Sequence, residues 1–442
     1  MENKGFNPPQ KLLYILLILG AVYILTFIFV FKPIDNSYSI FKSLPILDEE
    51  KVFPGYTLIS PYNRLLSDSK IEGKVYLLDM AGYPVHTWTT NHQVLYSVLE
   101  PDGKLLSVME QPKYSQFFPP GGNTGIIQEL DWKSNVVWEY KNEAMHHDVA
   151  ILPNGNLAFA LWEKTPPEIA RQIQGGVDGT EMASGPEGLR PGGEGGLIWS
   201  DNIVEINRKG ETVWSWHSYE HMDPQMDVIA PLLPRYGWTY TNGLKYMEKN
   251  PIDGTPAYLL SMRTTSTVYI IRKEDGGIIW RSPKGMFSLQ HDPTLLENGN
   301  ILVFDNGYDR LPAPFPSFGS RAVEVNPKTN KVVWQFDAGE GPIDKIKFYA
   351  PIVGGAQRLS NGNTLITDGT RGHIFEVTNK GEVVWDIVSP YTTKQTGAFP
   401  NNFLFKSRRY GEDEIKWPQR IAPAFNKFTY NLHQILGKLY PR

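Results

Sequence analysis

Apolar positions along this chain come in short β-rich runs broken by turn residues, and six of the runs end in a tryptophan: Trp88, Trp138, Trp214, Trp280, Trp334 and Trp385. Val or Ile directly precedes five of the six. Successive tryptophans lie 50, 76, 66, 54 and 51 residues apart. That spacing suits a four-stranded propeller blade with loops of variable length and not a solenoid of short fixed period. The pattern predicts an all-β, six-bladed β-propeller over 55–391.

Each unit has a second half, in which a hairpin signal precedes another apolar strand. Asp102-Gly103, Asn154-Gly155, Asp253-Gly254, Asn298-Gly299 and Asn361-Gly362 each pair a residue tolerant of positive φ with one that has no Cβ. The strand between a tryptophan and the following turn is expected to line the central funnel, so chemistry is sought there. Tyr56 to Ser60 forms an apolar strand with no tryptophan partner, and the unit of Trp385 has no following Asn-Gly turn. The early strand is therefore expected to complete the last blade and close the ring.

Leu12 to Phe31 is an uncharged run long enough, as a helix, to cross a bilayer. Phe29-Val30-Phe31-Lys32 lacks the small residues a signal peptidase prefers, so 12–31 is read as an uncleaved membrane anchor. A short segment, 1–11, precedes it, and 32–54 is a linker. Lys4 and Lys11 with the amino terminus slightly outweigh Lys32 and Lys42, which places the propeller outside the cytoplasm, periplasmic or extracellular. The region 392–442 is a C-terminal extension, in which Ala424 to Leu439 has the pattern of an amphipathic helix. Insertions at 165–196, opening with a short helix at Pro166 to Gln172, and at 218–237 interrupt the strand pattern and are placed to form a rim or lid.

A formal net charge of −4, 12% aromatics and 41% hydrophobics describe a well-packed globule without the basic field that nucleic acid requires. Without cysteine the chain has no disulfides and no thiolate metal sites. Among nine histidines, His147 and His291 share a position: each precedes an aspartate and lies nine residues before the Asn that closes an Asn-Gly-Asn turn. Gly354 occupies that position in the later repeat and is expected to leave space for a ligand. Alternation along the strand turns Asp148 and Asp292 away from their histidines, so no metal site is expected. It also lets only one of His146 and His147 face the funnel; repeat position selects His147.

The strings Gln290-His291-Asp292, Asn298-Gly299-Asn300, Phe304-Asp305-Asn306-Gly307 and Ser320-Arg321-Ala322-Val323 resemble the arylsulfate sulfotransferase family. So do Trp238-Thr239-Tyr240-Thr241-Asn242, Ser261-Met262-Arg263 and Ala356-Gln357-Arg358-Leu359 before Asn361-Gly362-Asn363. The likeness covers roughly Gly55 to Tyr391, and the family is a six-bladed propeller. It implies sulfuryl transfer from a phenolic sulfate donor to a phenol acceptor through a sulfated histidine, without a nucleotide donor or other cofactor. By resemblance His291 is the nucleophile, His147 a second active-site histidine, Arg263 the arginine, and Asn242 the asparagine that contacts the sulfuryl or bridging oxygen. One departure concerns the position where the family has His two residues before this Asn: here it is Tyr240, a phenol that cannot serve as an imidazolium near neutrality. Gly355 and Ala356 offer no polar side chain where some members have one. Two functions follow: an arylsulfotransferase with Tyr240, Gly354 and Ala356 in its substrate site, or a propeller that has drifted into a binding or assembly subunit of a membrane complex. A second copy of the chain is a further expected partner.

Overall fold

The computed structural model describes residues 47–62, 72–111, 122, 124–185, 188–191, 196–308, 310, 319–339, 342–391, 402–418 and 421–424. The expected membrane span at 12–31 and the helix expected at 424–439, apart from its first residue, lie outside them. Among the described residues no helix is long and apolar enough to cross a membrane.

Six antiparallel four-stranded sheets form the blades of the propeller. From the inner strand outward, blade two runs Val94–Leu99, Leu105–Glu110, Gly125–Leu130 and Val136–Lys141. Blade three starts at Met145–Ile151, blade four at Thr241–Met247, blade five at His291–Leu295 and blade six at Gly355–Arg358. The inner strands are thus the ones between each tryptophan and its following turn. The turns share one device: the Asp102, Asn154, Asp253, Asn298 and Asn361 Oδ1 atoms each accept from the amide N–H two residues on. The intervening glycines hold φ of 80–89°. In three blades the Asn after the glycine then reaches across the sheet to a glutamate: Asn156 to Glu205, Asn300 to Glu324 and Asn363 to Glu376.

The six tryptophans do more than fill space. Each indole Nε1–H donates to the outer turn of the next blade: Trp88 to Asp131 O, Trp138 to Arg208 O, Trp214 to Lys273 O, Trp280 to Asn330 Oδ1, and Trp334 to Asn379 O. Trp385 completes the circuit on Met80 O in blade one, at 2.8 Å. A large ring with one donor at its edge packs a seam and satisfies a turn carbonyl together, which accounts for the repeat of this residue and no other aromatic.

Closure of the ring differs from the expectation. Tyr56–Ile59 does not join the blade of Trp385, which has four strands of its own; it is the second strand of blade one. The inner strand there is Arg408–Tyr410, from the far end of the chain. Arg408–Tyr410, beyond Tyr391, therefore belongs to the propeller. The missing signal has a simple cause, since three residues, Arg408-Arg409-Tyr410, are too short and too charged to show apolar alternation. Arg409 is nevertheless fully buried against Trp385, paired with Glu376 and bonded to Thr57 Oγ1.

Candidate active site

Inner strands of several blades open onto one cavity of about 230 Å³, with His147, Tyr240, Arg263 and His291 in its wall. Leu233, Pro234 and Tyr236 come from the second insertion and Phe403 and Phe405 from the closing segment. The insertions are tied together at this wall. Ile229–Pro234 pairs with Gly175–Val177, and the Arg235 guanidinium binds Glu181 and the Gly175 and Ile173 carbonyls.

Blade five fixes the His291 ring through Asn306, whose Oδ1 lies 2.7 Å from His291 Nδ1. Asn306 Nδ2 donates to the carbonyls of Ala350 and Val353, so its oxygen is the atom that faces the histidine. His291 Nδ1 must then carry the hydrogen, leaving the Nε2 lone pair unprotonated. Burial, reinforced by the Arg263 charge, pushes the His291 pKa down to about 3. The ring is neutral throughout the ordinary pH range.

Blade three holds its histidine differently. The inner strand bulges between His146 and Val149, and His147 adopts φ of 56°. His147 reaches the cavity, while His146 is fully buried behind it, stacked on Trp162 at 4.0 Å. Their Nδ1 atoms are 3.0 Å apart. On its other side His146 Nε2 is 3.2 Å from Asp201 Oδ1, within ion-pair distance but outside hydrogen-bond alignment. The carboxylate draws the His146 proton to Nε2, which makes His146 Nδ1 the acceptor and His147 Nδ1 the donor. Burial first, then His146, His291 and Arg263, hold the His147 pKa well below its usual value. A Cβ on Gly122 would stand 2.0 Å from His147 Nε2, so glycine at φ of 69° is what leaves that nitrogen uncovered.

Arg263 lies 5.8 Å over the Tyr240 ring, and its amide donates to the Tyr240 carbonyl at 3.1 Å. Tyr240 packs edge-on to His147 at 4.9 Å, and Phe405 contacts both cavity histidines, at 6.2 and 6.1 Å. The resulting pocket has a guanidinium and two neutral imidazoles set in aromatic walls.

Three expected site residues lie elsewhere. Asn242 is buried behind the cavity wall, where its Nδ2 donates to the Gln290 carbonyl and its Oδ1 accepts from Ser261. It steadies the backbone entering His291. The space beside Gly354 is filled by the protein: a Cβ there would meet the Phe304 ring at 2.4 Å and the Thr367 carbonyl at 2.8 Å. Ala356 packs in the core between blades five and six, and its amide donates to Asp292 Oδ2 at 3.3 Å.

The aspartates do turn away from their histidines, into a buried ionic cluster. Lys406 Nζ lies 2.9 Å from Asp148 and 3.4 Å from Asp292; Lys245 also pairs with Asp148 and Arg408 with Asp292. Burial opposes ionisation of Asp292, but Arg408 and Lys406 prevail and lower its pKa to about 2. Asp148 is lowered likewise by Lys245 and Lys406 against its burial. Burial pushes the Lys406 ammonium down to about 8, against the pull of both aspartates. Arg321 and Arg358 serve the blades, Arg321 on Asp305 and the Met286 carbonyl and Arg358 on Glu324 and the Gly362 carbonyl.

A family model described as Arylsulfotransferase (ASST) matches residues 113–390, more than half of the chain. The chain belongs to the arylsulfotransferase family. None of the curated proteins compared matches it. Among solved structures, a protein of unknown function from Bacteroides caccae is 14% identical, covering 80% of this chain and 98% of its own, with a TM-score of 0.45. A streptogramin B lyase is 12% identical over 78% of this chain and 89% of its own, TM-score 0.39. The WD40 propeller domain of Doa1 is 11% identical over 76% and 87%, TM-score 0.36. Likeness at this level carries nothing about the chemistry of the family member described here.

Sequence reasoning did not find Gly122, Tyr62, Phe403, Phe405 or Asn306 as site residues. Asn306 lies within the Phe304-Asp305-Asn306-Gly307 string, where nothing local marks its role. A signal existed for Gly122 in the Gly121-Gly122 pair after a proline run. Phe403 and Phe405 lie beyond the repeat and had none.

Proposed function

We propose that the chain is an aryl sulfotransferase in which His291 Nε2 takes a sulfuryl group from a phenolic sulfate ester and yields it to a phenol. The observation that carries this reading is the hydrogen-bond chain from the Ala350 and Val353 carbonyls through Asn306 to His291 Nδ1, which presents an unprotonated Nε2 lone pair to a cavity shared with Arg263. Attack forms an N–S bond as the bond from sulfur to the aryl oxygen breaks; the acceptor then reverses the step. Arg263 would offset charge on the transferring oxygens where aromatic walls exclude water, an interaction of the kind that supplies several kcal/mol of transition-state stabilisation. His147, through Nε2, would bind the incoming or departing hydroxyl, and Tyr240 would stack on the ring. At 230 Å³ the cavity equals on the order of eight waters, the scale of a single substituted ring. We further propose that 12–31 anchors the propeller outside the cytoplasm.

Steady-state kinetics of the full chain with a chromogenic aryl sulfate and a phenol tests this. Phenol release that depends on the acceptor, with parallel double-reciprocal lines, is expected. A purified chain that releases none, with a set of single-ring donors and acceptors, contradicts the proposal.

A further inference from the structure

The transfer just described moves protons that none of the cavity histidines is placed to supply. Both rings are held neutral, and a departing phenolate needs a proton that the acceptor phenol later gives back. Tyr240 is a phenol where the family has an imidazole.

The cavity wall holds a second candidate. Tyr62, a wall residue, donates its hydroxyl to Glu110 Oε1, and Gln93 Nε2 donates to Glu110 Oε2 at 3.0 Å. Glu110 ends the second strand of blade two, its backbone amide bonded to the Gln93 carbonyl. Among the described residues, the groups that act on its carboxyl are these two neutral side chains. Other acidic groups of the interior, such as Asp148, Asp292 and Asp305, are met by Lys or Arg. A partly buried carboxyl held by a phenol of the cavity wall and by an amide is a candidate for proton transfer. Burial raises the Glu110 pKa to about 7, against the hydrogen bonds from Tyr62 and Gln93. At neutrality it can therefore both give and take a proton.

We propose that Tyr62 and Glu110 form the proton relay of sulfuryl transfer, Tyr62 touching the aryl oxygen and Glu110 acting through it as the proton store; the proposal rests on the sulfotransferase reading above. As the bond from His291 Nε2 to sulfur forms and the sulfur–aryl oxygen bond breaks, the departing oxygen takes the Tyr62 hydroxyl proton. Tyr62 in turn takes the Glu110 carboxyl proton, leaving a carboxylate. When the acceptor phenol attacks sulfur and the N–S bond breaks, its proton passes through Tyr62 back to Glu110. Charge and protons balance over the cycle, and no co-reactant is needed.

The test compares Glu110→Gln and Tyr62→Phe with the unaltered full chain, using phenyl sulfate, whose leaving group is basic, and 4-nitrophenyl sulfate, whose phenolate departs unaided. With no acceptor present, so that only the first half-reaction is read, the relay predicts a fall of about 100-fold in the rate of the phenol burst on phenyl sulfate in both variants, and less than about 3-fold on 4-nitrophenyl sulfate. The unaltered chain should lose its burst of phenol from phenyl sulfate as pH rises through about 7, where Glu110 loses its proton, and Glu110→Gln should show no such limb. Equal losses on the two donors, or a pH limb that survives in Glu110→Gln, overturns the relay while leaving the nucleophile in place. No turnover by the unaltered chain overturns both readings together.

Discussion

Blades three and five carry the same sequence signal, a His-Asp pair nine residues before the closing Asn of the turn, and the fold gives the two histidines different surroundings. In blade five the ring is clamped by an amide whose own orientation is fixed by two carbonyls, which settles the tautomer and leaves one nitrogen with a free lone pair. In blade three the ring leans on a second histidine and depends on a glycine to stay uncovered. The left-handed residue also differs: His147 itself in blade three, Asp292 in blade five. The repeat sets where a side chain begins, and its non-repeated partners decide its chemistry.

The contrast breaks first at His291. His291→Ala should lower kcat for phenol release by at least about 10³-fold, since removing a covalent nucleophile removes the path itself. A variant that keeps a tenth of the activity would show that the two histidines are interchangeable.

The ionic cluster is the element both blades share, so cutting it tests whether they are braced together. Lys406→Met leaves Asp148 and Asp292 short of a buried cation and should cost about 3–5 kcal/mol in urea unfolding. Asp292 adds a pH signature. Its carboxyl titrates near 3.9 when unfolded and at about 2 when folded, so its contribution is present above pH 4 and is lost as pH falls toward 2. Unfolding of Lys406→Met at the same urea concentration as the unaltered chain would contradict the bracing.

Asn306→Asp sharpens the blade-five half. A carboxylate at Nδ1 favours the charged ring and should raise the His291 pKa from about 3 toward neutrality. The pH profile of kcat/KM, flat on the acid side in the unaltered chain, should acquire a falling limb between about pH 7 and 5, with an about 10-fold loss at pH 5. An unchanged profile would mean that Asn306 does not govern the ring.

The smallest effect is expected in blade three. His147→Gln keeps a polar group at the cavity and should cost about 10-fold in kcat, with the burst of bound phenol retained. Loss of the burst would give His147 a covalent role and erase the contrast.

Much of this was legible in the sequence. The tryptophan spacing and the Asx-Gly turns gave six blades because both mark local geometry that strand alternation enforces. His147 and His291 could be placed at one cavity because repeat positions converge on one axis, and the family resemblance added Arg263 and Tyr240. Three things were not legible, each for want of a local signal. The closing strand Arg408–Tyr410 is short and buries its charge by pairing across the seam. Gly354 looked like open space, yet a glycine only shows that something approaches, here the Phe304 ring. Asn242 was given to the substrate although its hydrogen bonds go to Gln290 and Ser261.

The most direct test is peptide mass analysis of the chain after incubation with an aryl sulfate and no acceptor, quenched at mildly alkaline pH. The account predicts a sulfuryl adduct on the His291 imidazole that disappears when phenol is added. An adduct on His147 instead, or phenol release with neither ring modified, would contradict it.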